Sequence, residues 1–405
     1  MRGRALVVAM CLGQVGNLLP HAVVPAVMVG HLIGPWGLSN AEAGLMASAY
    51  AAGYMVAVPV LSTLTDRMDA RQILLAGSLM SGLATIAFGL LADGLVSAMV
   101  IWCVAGIGFA GAYMPGLKAL TDRLGPGDSS RSITFYTSSF SLGVGLSFLA
   151  SQLIADAWGW RLAFILTGLG PTAMAIIALL MKPVPPPPPS GKLLDFRPVL
   201  RNRTAMGYIL GYGAHCFELY GMRTWIVAFW TFVMARHGAA TPLDPIAISV
   251  AVAVLAMPAS ILGNEVAIRI GRHRAISAIQ LLSAVVALAI GLAAGTSPWL
   301  LLGLMAIYAI TVPADSGSLT SGMSASADPR YRGATMALHS TVGFGVSALG
   351  GWLVGAALDA AGGTGEATAW LAAFAVMAGG ILCGPLVLWW SRSGNPRSHD
   401  ARGGN

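Results

Sequence analysis

The segment Tyr212 to Arg223, YGAHCFELYGMR, sets His215, Glu218 and Arg223 inside an apolar run from about Ala205 to Met234. About 20 apolar residues cross a bilayer. An ionisable group at that depth survives only where it faces protein or water, which makes it a functional site by default. A carboxylate far from any headgroup must pair or take up a proton, the behaviour of a proton-coupling residue. His215 and Glu218, one turn apart, are therefore candidates to take and release a coupling proton, and Tyr212 lies within the same third of the helix circumference. Arg223, five residues beyond Glu218, falls on a different face and is expected near the outer surface or in a local pair. A metal reading of His215, Cys216 and Glu218 is weaker. On a helix Cys216 points about 100° away from His215, and no second cluster of ligands accompanies them.

Other runs carry polar stripes at helical spacing. Gln14, Asn17 and His21 stand at i, i+3 and i+7 and share one face, as do Tyr308, Thr311, Asp315 and Ser318. Tyr113 and Lys118 come from the run 95–118. The expectation is that Asp315, Lys118 and the Gln14/Asn17/His21 stripe bind substrate, with Tyr113, Tyr212 and Tyr308 beside them. Plainer roles stand next to these: the amides can bond a neighbouring helix, His21 can make a structural bond beside Pro20 and Pro25, and Lys118 can snorkel to headgroups.

The elements that must position these residues follow from composition. Of 405 residues 56% are hydrophobic and 10% charged, against about 25% charged in soluble domains, and the mean hydropathy is +0.74. Apolar runs of spanning length fall at about 5–30, 41–62, 72–92, 95–118, 132–155, 159–181, 205–234, 245–267, 275–295, 298–320, 333–357 and 366–390. The fold class expected is an all-α membrane protein of twelve transmembrane helices in two pseudo-symmetric six-helix bundles. With both termini cytoplasmic, nineteen of the 23 basic residues fall on inner loops, as the positive-inside rule requires. The net charge of +7 then needs no nucleic acid to explain it, and membrane lipids are its natural contacts.

PVPPPPPS, Pro183 to Ser190, cannot continue a helix and divides the chain. The expected parts are an N-terminal bundle (1–182), a cytoplasmic linker with a surface helix (183–204), a C-terminal bundle (205–391) and a disordered tail (392–405). The halves repeat weakly: Pro115, Arg131 and Asp156 parallel Pro313, Arg332 and Asp359, with the two arginines 201 residues apart. Parallel repeats flanking a central site are the plan of many secondary transporters. Cys11, Cys103, Cys216 and Cys383 lie far apart without paired spacing, so neither a disulfide framework nor zinc is suggested. An excess of Arg over Lys hints at a GC-rich bacterial genome and hence an inner-membrane location.

At this point the whole chain resembles the major facilitator superfamily. The family's loop between spans two and three reads GxxxDRxGRR; here Asp66, Arg67 and Arg71 match while both glycines do not, and the counterpart after span eight keeps Arg269 and Arg272. The resemblance implies an inner gate in which Asp66 meets a basic residue, Arg123 being the partner expected, and the N-terminus of span eleven. It also implies a cavity ringed by spans one, four, seven and ten. The arginine of span four falls at Trp102 and the proline-glycine signature of drug exporters is missing near Phe148, which weakens export by antiport. The function expected is secondary active transport of a small polar solute, a carboxylate among the options, by alternating access in a monomer. The proton gradient is the coupling source and no cofactor is needed. A proton-driven exporter of drugs or metabolites is the alternative, and a non-transporting sensor or scaffold the alternative of another class. An enzyme is not expected, for HExxH, GxSxG and Walker patterns are all missing.

Overall fold

The computed structural model describes residues 3–124, 129–185, 194–328 and 331–392. The side chains of Arg131 and Arg332, most of the proline run and all of the expected tail but Arg392 lie outside the described residues. Among those described, every regular element is helical.

Span one is a pair, Gly3–Leu18 and Val23–Trp36, bent by 46° at the turn holding Pro20. Spans two to five are Asn40–Leu64, Ala70–Leu91, Leu95–Thr121 and Ser129–Trp158. Span six runs Trp160–Gly168 and Gly170–Leu180, with Pro171 just after the break. Spans seven to nine are Arg203–His237, Pro245–Ile270 and Arg272–Ala293; span ten is Pro298–Ala314 plus Ser316–Ser326; spans eleven and twelve are Arg332–Ala360 and Ala367–Arg392. The expected surface helix of the linker is reduced to Arg197–Arg201.

Ten of these are long and apolar enough to cross a membrane, eleven with the bent first pair. All twelve expected runs are helical, and one of them falls below that measure. The remaining helix, Arg203–His237, has 35 residues, about 50 Å at ~1.5 Å per residue. It is long enough, and falls short on apolarity because it carries His215, Glu218 and Arg223. It is also enclosed along most of its length by spans ten, eleven and twelve, so its polar groups need not meet lipid. The large side chains that do face outward, among them Leu83, Val96, Leu292, Trp299 and Trp389, are apolar. In water such a coat would be an aggregation surface; against acyl chains it is the required one.

Local sequence starts the helices where expected. Ser39 caps span two and closes a capping box with Glu42; Asn202 and Asp244 cap spans seven and eight through the amides of Ala205 and Ala247. Glycine then sets how closely helices approach. A Cβ on Gly106 of span four would overlap the Tyr50 carbonyl of span two, and one on Gly263 of span eight would overlap the Ala314 carbonyl of span ten. The two helix pairs, two with four and eight with ten, correspond between the halves.

The halves meet along two helix pairs, span two with eleven and span five with eight. The first seam is built backbone to backbone: Gly44 packs on the Gly351 carbonyl and Gly355 on that of Asn40, while Tyr54 stacks on Phe344 at 3.7 Å. The two helices run in opposite directions. We call the face holding Gly3 and Arg392 the terminal face and its opposite the distal face. At the distal end the Asp359 carboxylate of span eleven accepts from the Asn40 amide (3.0 Å), the Asn40 side chain (2.8 Å) and the Ala41 amide (2.6 Å) at the start of span two. Asp156, its counterpart by repeat, instead lies 3.3 Å from His31.

Candidate functional site

Span ten breaks after Ala314, and Asp315 occupies the break as its C-cap. Its carboxylate turns into the bundle, 1% exposed. One oxygen lies 2.7 Å from Nδ1 of His215; the other accepts from Nε2 of Gln280, also at 2.7 Å. His215 is thus drawn to Asp315 and not to Glu218, which separates the pair that spacing on span seven had put together. Tyr212 stacks against His215 at 5.5 Å and against His339 of span eleven at 3.9 Å.

Glu218 is fully buried. Its Oε1 accepts from Ser283 Oγ (2.9 Å) and Tyr308 OH (3.1 Å), and Thr311 reaches Ser283 at 3.4 Å. Its Oε2 has no hydrogen-bond partner. A half-satisfied carboxylate in a low-dielectric interior is a high-energy arrangement as an anion and an ordinary one as an acid. Gln280 and Ser283 were not among the candidates read from sequence. Their signal was present, as two polar residues at i and i+3 in the apolar run of span nine.

In the first half, Gln14 accepts from Tyr136 OH at 2.9 Å, its plainer helix-bonding role. Asn17 is 1% exposed with neither amide atom bonded. Tyr113 stacks between Phe109 and Tyr136. Lys118 is not brought to Asp315; it forms a salt bridge to Asp122 one turn on, at 3.0 Å. His21 sits among Tyr50, Phe109, Phe140 and Tyr220. It lines a narrow, partly open cleft between the halves, together with Ser48, Arg223 and Thr224. Arg223 lies beside the Tyr220 ring at the edge of this cleft, in keeping with the local pairing expected of it. Among the described residues no group of three or more His, Cys, Asp or Glu could hold a metal.

The sequence model of the Major Facilitator Superfamily matches residues 10–350. The chain belongs to the major facilitator superfamily. The human protein spinster homolog 1 is 22% identical over 214 residues, 48% of this chain and 39% of that one. Human monocarboxylate transporter 11 is 28% identical over 197 residues, 46% and 38% of the two chains. The chain thus spans well under half the length of these relatives. A crystal structure of a bacterial homolog to the human lysosomal transporter Spinster, inward-facing and unoccupied, superposes with a TM-score of 0.73 at 19% identity, over 96% of this chain and 95% of that one. That likeness is one of fold.

The superfamily's gate loop is recognisable but differently wired from expectation. Arg123 pairs with Asp69 (2.9 Å to both oxygens), not with Asp66. The reason is local: Asp69 is the N-cap of span three and faces the C-terminus of span four, where Arg123 sits. Arg123 also donates to the Lys182 carbonyl and Arg71 to that of Met181, and the Val184 amide donates to Asp69. The knot therefore ties spans three, four and six within one half. Asp66 is left for span eleven, whose Gly333 would carry a Cβ 4.0 Å from its Oδ2, the helix N-terminus the resemblance implied. Arg67 and Arg269 are exposed and Arg272 is half-buried, with its Nε unbonded.

Burial alone would push Asp69 upward, yet the Arg123 guanidinium and the Val184 and Arg71 amides outweigh it and hold the carboxyl below the usual aspartate range. A lowered folded-state value means stability that is present above the unfolded value of about 3.9 and lost as pH falls through the folded one. Asp69→Asn is expected to melt a few degrees below wild type at pH 7, with the gap closing below about pH 4. Thermal unfolding across that range checks it, and a gap that stays constant into acid would contradict the assignment.

Proposed function

We propose that this chain is a secondary active transporter, moving a small polar solute by alternating access with the proton gradient as its coupling source. The observation that carries the reading is Glu218. It is fully buried, bonded through one oxygen only, and held by side chains of spans nine and ten. Taking up a proton removes the cost of the unbonded anionic oxygen, and losing it restores that cost. A group whose charge changes the stability of one arrangement of the bundle couples protonation to that arrangement. The His215–Asp315 pair supplies a second ionisable unit, between spans seven and ten.

In this reading the halves rock about the seams of spans two with eleven and five with eight, and the protein works as a monomer in a bacterial inner membrane. Both termini then lie in the cytoplasm, the terminal face is the inner one, and no nucleotide or other cofactor is used. Membership of a superfamily containing proteins named as transporters supports the class. The test is transport by purified protein in proteoliposomes with an imposed pH gradient, scanning small organic acids and their neutral analogues. Solute entry indifferent to the gradient would remove proton coupling; no gradient-dependent or exchange flux of any solute would remove transport.

A further inference from the structure

Arg223 is a cation without a counter-ion. Among the described residues no carboxylate lies within 4 Å of it, since the salt bridges formed involve other partners. Its guanidinium lies 5.7 Å from the centre of the Tyr220 ring. It borders the cleft lined from the first half by His21, Ser48 and Tyr50 and from the second by Tyr220, Arg223 and Thr224. Three further groups in that lining are unfinished, the Tyr50 hydroxyl among them. Ser48 is 7% exposed and its Oγ has no hydrogen-bond partner; His21 is 8% exposed and its Nδ1 has none. The Nε2 of His21 lies 3.4 Å from Tyr220 OH. When that hydroxyl donates to Nε2, the imidazole proton is left on Nδ1.

The cleft thus presents a guanidinium, hydroxyls and an imidazole N–H, all able to donate, with no acid to receive them. Apart from Ser347, the rest of its wall is apolar, with Pro25, Ala47, Ala51, Val144 and Phe148. Donors without acceptors select an anion. A single fixed cation compensates one negative charge, and a dianion would be left with one uncompensated. The apolar wall suits a hydrocarbon or aromatic tail.

We propose that this cleft binds the carboxylate of a small organic monoanion, with Arg223 holding the carboxylate as a fork, Ser48 and His21 donating from the opposite half, and the tail against Val144 and Phe148. The proposal rests on the transport reading for its purpose, but the site is defined by binding alone. Because donors come from both halves, an occupant ties the two together at the seam where they separate.

The experiment is equilibrium binding to the purified full-length protein in nanodiscs, by tryptophan fluorescence and thermal shift. The probes are acetate, butyrate and benzoate, with benzamide and succinate as the neutral and dianionic controls. Benzoate is expected to bind and to raise the melting temperature, with benzamide and succinate at least about tenfold weaker. Arg223→Gln should weaken benzoate by about 30-fold, as loss of a charged hydrogen-bonding partner does. Ser48→Ala should weaken it several-fold, and Arg223→Lys, which keeps the charge and loses the fork, about tenfold. If Arg223→Gln does not fold, the Lys and Ser48 variants decide. Equal binding of acid and amide, undiminished binding by these variants, or no saturable binding of any probe would overturn the proposal. Benzoate that binds as described and is never moved would sink the transport reading and leave the site; benzoate carried equally well by Arg223→Gln would do the reverse.

Discussion

Glu218→Gln protein is expected to lose gradient-driven accumulation of its solute by about 100-fold, the upper end of ordinary coupling free energies, while retaining solute exchange across equal pH. Glutamine keeps the length of the side chain and an oxygen to accept from Ser283 and Tyr308. What it removes is the exchangeable proton and the possibility of an unbonded anionic oxygen in a fully buried setting. The variant therefore resembles the protonated state permanently, and a carrier fixed in one protonation state can shuttle solute both ways but cannot draw work from a gradient. Parallel measurements in proteoliposomes, accumulation under an imposed pH difference and counterflow without one, separate the two. Full accumulation by the variant would move the coupling site elsewhere, His215–Asp315 being the next pair to examine.

The second large effect is expected at the distal seam. Asp359 receives three hydrogen bonds at 2.6 to 3.0 Å from the first turn of span two, where exposed backbone N–H groups and the helix dipole both favour a negative charge. The residue is exposed, so solvent screens much of this. About 1.4 kcal/mol in total is a reasonable expectation, tenfold in an equilibrium. Asp359→Ala should therefore raise the population open at the distal face about tenfold, with Asp359→Asn between it and wild type. The reporter is Ser48→Cys in a background lacking the four native cysteines, labelled from the distal side by a membrane-impermeant maleimide. Ser48 is 7% exposed, so its labelling rate rises as the seam parts. Equal labelling rates in Asp359→Ala and the parent would show that the contact does not hold that face shut.

The sequence carried the helices and the faces within them, because both follow from periodicity along one chain. The twelve apolar runs became the helices of the fold, and Asp315 and Glu218 proved buried as their depth required. What could not be read was register between helices. Nothing local says that His215 faces Asp315 and not Glu218, or that Arg123 chooses Asp69 over Asp66 three residues away. Arg223 shows a further limit. Its helical angle was read correctly as different from that of Glu218, and it does lie beside Tyr220, but which helices its face meets could not be read from one chain. Span seven is surrounded, with Phe217, Glu218, Met222, Thr224 and Trp225 all buried around its circumference, and its other faces also meet protein.

The glycine seam between spans two and eleven bears on how motion is divided within the molecule. Gly44, Gly351 and Gly355 put main chain directly against main chain, so a pivot there has few rotamers to freeze or release. Packing along such a line changes little with angle. On the proposed rocking, this close-packed distal end of the seam, next to the Asp359 contact, is the bearing, and the orientation preferred is set by the polar ends of the two antiparallel helices, Asp66 against one N-terminus and Asp359 against the other.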